Sequence, residues 1–101
     1  MTFRSPLLLK LARDEHCVLC GTRDGTVVAA HYFGYRRHSL GGGMGHKVSD
    51  IATAHLCGAC HQRMDSYADG NTTERSEEFL YAIIRTLDRL AERGLIKVSR
   101  R

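Results

Sequence analysis

Two Cys-x-x-Cys pairs, Cys17/Cys20 and Cys57/Cys60, constrain this chain more than any other feature of its sequence. Two residues between cysteines let both thiolates of a turn face one ion, and two such turns complete a tetrahedral S4 shell with zinc–sulfur bonds of about 2.3 Å. The chain has 101 residues. At that size a backbone ordering cost of roughly 1–2 kcal/mol per residue nearly cancels what a modest apolar core returns, so a metal staple is expected. Structural zinc, with an apparent binding energy on the order of 10–16 kcal/mol, is sufficient, and its removal should unfold the protein. The other readings are two local disulfides, a redox-active dithiol or four unconnected core thiols. Against them, the apolar run Leu7–Leu9 is broken by Lys10 and followed by charge rather than by a small-residue cleavage site. No thioredoxin-like βαβ pattern surrounds either pair. The expected setting is a reducing cytosol with no membrane span, because no stretch of about 18 uncharged apolar residues occurs.

The remaining pattern predicts one α+β domain over residues 1–101. Ser5 and Pro6 form an N-cap and first-turn pair for a short helix over Leu7 to Arg13. After the first cysteine pair, Gly21 and Asp24-Gly25 permit tight reversals into a β-prone run from Thr26 to Phe33. Gly34 to Val48 is glycine-rich and polar, and reads as a long loop; Asp50 to Leu56 reads as the return strand. Cys57 to His61 then opens a helix running through Asp65 and Tyr67. Ser76 to Arg93 carries Phe79, Leu80, Ile83, Ile84, Leu87, Leu90 and Ala91 at three- and four-residue spacing, one apolar helical face that is closed by Gly94. Glu77 and Glu78 near its start, with Arg89 and Arg93 near its end, complement the helix dipole.

Chemistry beyond the zinc cysteines gathers on histidines and acids. His31 lies in the first strand, Asp50 just before the second, and His61 directly after the last cysteine. Asp65, one helical turn beyond His61, shares its face, so both can ligate one divalent ion with open positions for phosphate and water. Opposite them His31 could take a proton from the attacking water. Net charge is +4. Arg36, Arg37 and Lys47 fall in the acid-free stretch from His31 to Ser49, and Lys97, Arg100 and Arg101 repeat the basic theme at the C-terminus. These residues are expected to hold phosphates without reading bases, while Tyr35 could stack on an unpaired base. His16 and His55 are expected to be an unassigned residue beside Cys17 and an ordinary strand residue.

The order CVLC, then AAH in a strand, a glycine-rich loop, and LCGACH opening a helix resembles the HNH, or ββα-metal, endonucleases in their zinc-stabilised form, over residues 17–65. The stretch GGGMGHKVSDIATAHLCGACHQRMD with the ending GLIKV is most similar to the small prophage-encoded YbcO-like and related phage recombination nucleases. The resemblance implies a treble-clef-like core with a long C-terminal amphipathic helix at about 76–93. It also implies hydrolysis of DNA phosphodiester bonds, a structural zinc, and a catalytic divalent ion, magnesium or manganese, with zinc as an option. DNA, and a recombination protein, would be the partners, in a bacterial host cytoplasm. By the same resemblance His31 is the general base, His61 a metal ligand, Asp65 a second helix ligand, and Asp50 the residue that ties the hairpin loop. Two departures stand out. Ala30 occupies a position commonly filled by an Asp or His ligand, a vacancy that His46 or His38 could fill. Aligning the His-His pair of some phage relatives with His31-Tyr32 would instead make His31 the ligand. The alternative reading is a non-catalytic zinc module that binds DNA or a recombinase.

Overall fold

The computed structural model describes residues 2–66 and 72–99. Tyr67, the expected end of the second helix, and Arg100 and Arg101 of the basic tail lie outside them. The chain runs α1 (Pro6–Lys10), β1 (Val28–His31), a 3₁₀ turn (Arg37–Leu40), β2 (Thr53–Leu56), α2 (Gly58–Asp65) and α3 (Thr72–Glu92). β1 and β2 form an antiparallel two-stranded sheet, with Val28 opposite Leu56 and His31 opposite Thr53. This is an α+β arrangement. No helix among the described residues is long and apolar enough to cross a membrane.

Ser5 Oγ accepts the Leu8 amide at 3.1 Å and Pro6 occupies the first turn, but α1 stops at Lys10 rather than Arg13. Tighter bonds such as Leu11 N to Leu8 O replace the helical ladder beyond it, and Asp14 takes a left-handed backbone. The strands are also shorter than their β-prone runs. Thr26 is recruited elsewhere: its amide and hydroxyl bind Asp24 Oδ1, and its Oγ1 accepts the Gly58 amide at 2.8 Å, capping α2. Asp50 and Ala52 belong to the turn before β2. The expected loop over 34–48 is partly regular, containing the 3₁₀ turn and a β-bridge between Gly43 and His46.

Helix α3 begins a turn earlier than its apolar pattern and ends at Glu92. Its closing bonds, Gly94 N to Ala91 O and Leu95 N to Leu90 O, with Gly94 at φ +71°, form a Schellman motif that consumes the last free carbonyls. The buried face consists of Ser76, Phe79, Ala82, Ile83, Thr86 and Leu90. Of the other expected face residues, Leu80 and Leu87 pack half-buried against the core, whereas Ile84 is 64% exposed and Ala91 is also exposed. Thr86 takes the interior place because its hydroxyl is doubly used, donating to Ala82 O and accepting the His55 amide at 3.0 Å. A buried polar group so paired carries little desolvation penalty.

Fully buried β2 lies between β1 and α3, and Phe79 packs edge-on against Tyr32 with ring centroids 5.3 Å apart. A second tie is polar. His55, 1% exposed, accepts Arg89 Nη2 at its Nδ1 at 2.8 Å. Arg89 also donates to His16 O at 2.9 Å, and Glu15 pairs with both Arg89 and Arg93. Burial, reinforced by the Arg89 charge, pushes the His55 imidazole down to about 4, so it serves as a neutral acceptor.

Phe79→Ala should cost about 3–5 kcal/mol in urea unfolding, the usual cost of deleting a fully buried ring. Arg89→Ala should cost about 1–3 kcal/mol because it leaves the buried His55 Nδ1 and the His16 carbonyl without their donor, while Glu15 keeps Arg93. Ile84→Ala, on the exposed face, should stay within about 0.5 kcal/mol of the parent.

Candidate metal centre and adjoining cleft

The first cysteine pair lies on a knuckle closed by Gly21 N to Cys17 O at 2.9 Å and Cys17 N to Thr22 O at 2.8 Å. Val18 N donates to His55 O, fastening that knuckle to β2. The second pair spans the start of α2, where Cys57 O accepts His61 N at 2.8 Å. Sulfurs of a tetrahedral shell with about 2.3 Å metal bonds lie about 3.8 Å apart. Here Cys20 Sγ and Cys57 Sγ are 3.6 Å apart, and all four sulfurs lie within 4.8 Å of one another. The donor set therefore fits one tetrahedral, thiolate-preferring ion such as zinc.

Electrostatics point the same way. Burial raises the Cys17 thiol, but backbone amides of Cys20, Cys57 and Leu19 more than offset it and hold it down at about 6. Burial and the neighbouring sulfurs push Cys60 up to about 12. One thiolate forms readily and then opposes the others, so four coexist only around a dication.

Beside this cluster a cleft of about 630 Å³ is lined by His31, His61 and Asp65 together with Arg37, His46 and Lys47. His31, at the end of β1, has its Nε2 2.7 Å from Asp50 Oδ1. Asp50 is 4% exposed, and its carboxylate also receives Arg4 Nη1 at 3.1 Å and the Ser5 amide at 2.8 Å. Burial alone would raise that carboxyl, and the bonds from His31, Ser5 and Arg4 instead hold it below the ordinary carboxylate range. An ionised Asp50 accepts only, so His31 presents N–H at Nε2, which in the neutral ring leaves the lone pair at Nδ1. Arg4 further donates to Val48 O and Lys47 O, joining the N-terminal segment to the cleft rim.

His61 and Asp65 meet on α2, Nε2 to Oδ2 at 3.1 Å, and both are partly open to solvent. Desolvation raises the Asp65 carboxyl against the opposing pull of His61. Among the described residues, the cysteines are the group of three or more His, Cys, Asp or Glu side chains whose ligand atoms cluster; His61 and Asp65 stand as a pair.

The other expected site residues divide. Arg37 and Lys47 line the cleft, whereas Arg36 is exposed but outside its lining. His46 lines the cleft. His38 does not: it borders a separate depression with Thr2 and Phe3, its ring packed beneath Gly43. Tyr35 is engaged with Thr72 through its hydroxyl. Arg4 is the functional neighbour that sequence reasoning missed, because nothing in a lone arginine before Ser5 marks it as a partner of Asp50. No protein-family model, curated protein or solved structure matches the chain.

A strong chelator should collapse the far-ultraviolet helical signal and the melting transition together, and one equivalent of zinc should restore both. Protons compete for the sulfurs, so the chelator concentration needed should fall as pH is lowered from 8 to 6.

Proposed function

We propose that this chain is a metal-dependent DNA endonuclease of the HNH, ββα-metal type, built on a treble-clef-like core. In that core the Cys17–Cys20 knuckle, the β1–β2 hairpin and α2 surround a structural zinc. The single observation that carries the reading is the shared cleft, onto which the Asp50-bound His31, the His61–Asp65 pair and the cations Arg37 and Lys47 all open.

His61 and Asp65, an imidazole nitrogen and a carboxylate oxygen 3.1 Å apart on α2, are the residues that would hold a divalent ion. Held there, the ion would supply Lewis-acid stabilisation of charge on the phosphate and the leaving oxygen. The protein's own groups supply the rest. His31 Nδ1 accepts a proton from the attacking water, and ionised Asp50, 2.7 Å from Nε2, stabilises the imidazolium that results. Arg4 and the Ser5 amide keep Asp50 charged and fixed, which orients the imidazole ring. Arg37 and Lys47 bind flanking phosphates and align the scissile bond without reading sequence.

One observation favours a second reading, a zinc module that binds DNA without cutting it. Ala30 is buried and offers only a methyl group where a further ligand would stand, leaving the ion two protein ligands on α2 unless His46 contributes.

Supercoiled plasmid incubated with magnesium or manganese separates the two. The parent should nick it, and His31→Ala and His61→Ala should each be slower by roughly a hundredfold or more while keeping zinc and a cooperative melting transition. Equal rates in all three folded proteins would sink the endonuclease reading. Binding without nicking by the parent would select the non-catalytic module.

A further inference from the structure

The glycine-rich segment before β2 is well tied for a loop. Gly42 N bonds to Arg37 O at 2.8 Å, and Ser49 N to Leu40 O at 2.8 Å. Gly43 and His46 exchange both backbone hydrogen bonds, at 3.1 and 2.9 Å, closing a two-residue hairpin with Met44 and Gly45 at its tip. Met44 has φ +51° and Gly45 φ +83°, the pair of left-handed residues that a type I′ turn requires. His38 braces the hairpin from below: a Cβ on Gly43 would meet its ring at 2.6 Å.

Glycine, asparagine and aspartate take the first left-handed position of such a turn readily; methionine does not. Met44 is also 99% exposed, so its side chain contributes no burial to the fold. The residue is unfavourable for the turn and idle in the core, and such a conformational outlier calls for a partner outside the chain. Three neighbouring features identify that partner. The tip is one side chain wide, since Gly43 and Gly45 flank Met44 without side chains. Gly43, Gly45, His46 and Lys47 all line the cleft, so the tip rises from its rim. The adjacent charge is positive, from Lys47 and from Arg37 at the base of the hairpin, which complements a phosphate backbone and opposes a basic partner.

We propose that Met44 is an apolar wedge that enters between adjacent base pairs of duplex DNA and kinks it at the mouth of the cleft. Apolar side chains of this size unstack a base step when a rigid element drives them in, and the bent duplex then meets more of the protein surface. The hairpin supplies the rigidity and Lys47 the neighbouring phosphate contact. The kink opens the step beside the His31 and His61–Asp65 groups. Flexible pyrimidine–purine steps such as TA should accept the wedge more readily than A-tracts, giving a shape preference with no base-edge contact. This inference rests on the DNA reading above.

The test uses the zinc-loaded full chain, without added magnesium or manganese, on short duplexes carrying 2-aminopurine beside a TA step. Anisotropy reports binding and 2-aminopurine emission reports unstacking. The parent should bind and raise the emission. Met44→Gly should keep its zinc and melt at the same or a higher temperature, bind about tenfold more weakly, and produce no rise; Met44→Leu should retain both signals. Lys47→Ala should lose affinity yet still raise the emission once bound. Met44→Gly matching the parent in affinity and emission overturns the wedge while leaving the DNA reading intact. A parent that binds no duplex overturns the DNA reading and the wedge with it.

Discussion

Four sulfurs within 4.8 Å of one another cannot all be ionised without a cation among them, and the rest of the architecture depends on that constraint. The thiols diverge accordingly, Cys17 held at about 6 by backbone amides and Cys60 driven to about 12 by burial and its neighbours. A bound dication resolves the conflict and converts binding energy into folding energy. Its mechanical effect would be to pin the 17–20 knuckle to the start of α2. Because Val18 also bonds to His55 O on β2, the cysteine cluster joins the hairpin to the helix. His31 and His61 are carried by those two elements, so their common cleft depends on how the cysteine cluster joins them.

A second layer of order comes from Asp50. Its two carboxylate oxygens are shared among His31, Arg4 and the Ser5 amide, so one buried acid ties the end of β1, the turn before β2 and the N-terminal segment together. A buried carboxylate is tolerated only with such partners. The arrangement also fixes the His31 tautomer, which links a structural device to the proposed proton transfer. Opposite the cleft, the interior is stitched by polar contacts of a different kind: neutral His55 accepting from Arg89, and Thr86 bridging α3 to β2. The small chain thus supplements a core centred on Phe79, Leu56 and Leu90 with interior hydrogen bonds.

Several of these features were legible in the residues. The cysteine spacing announced the sulfur cluster, Ser5-Pro6 the first helix, and Gly94 the end of the last. The four-residue offset of His61 and Asp65 announced their contact, because helical periodicity brings such residues together whatever surrounds them. Other features were misjudged for identifiable reasons. Thr26 looked like a strand residue by propensity, but its hydroxyl is consumed in capping α2. Ile84 fits the apolar stripe by spacing, yet the packed face is rotated so that Thr86 faces inward and Ile84 outward. The segment 34–48 looked featureless because its glycines conceal a sequence of backbone hydrogen bonds that no side-chain pattern encodes.

The sequence by itself determined whatever depends on short-range spacing: the two thiolate turns, the helical stripe, the caps and the His61–Asp65 pair. Tertiary structure alone decided which residues distant along the chain share a charge or a bond. Arg4 with Asp50, His55 with Arg89 and Glu15, and His38 beneath the Gly43 hairpin are such cases. The physical reason is that local periodicity is written into each residue's backbone geometry. A buried ion pair or a braced turn exists only once the folded chain has brought separate segments within about 3 Å of one another.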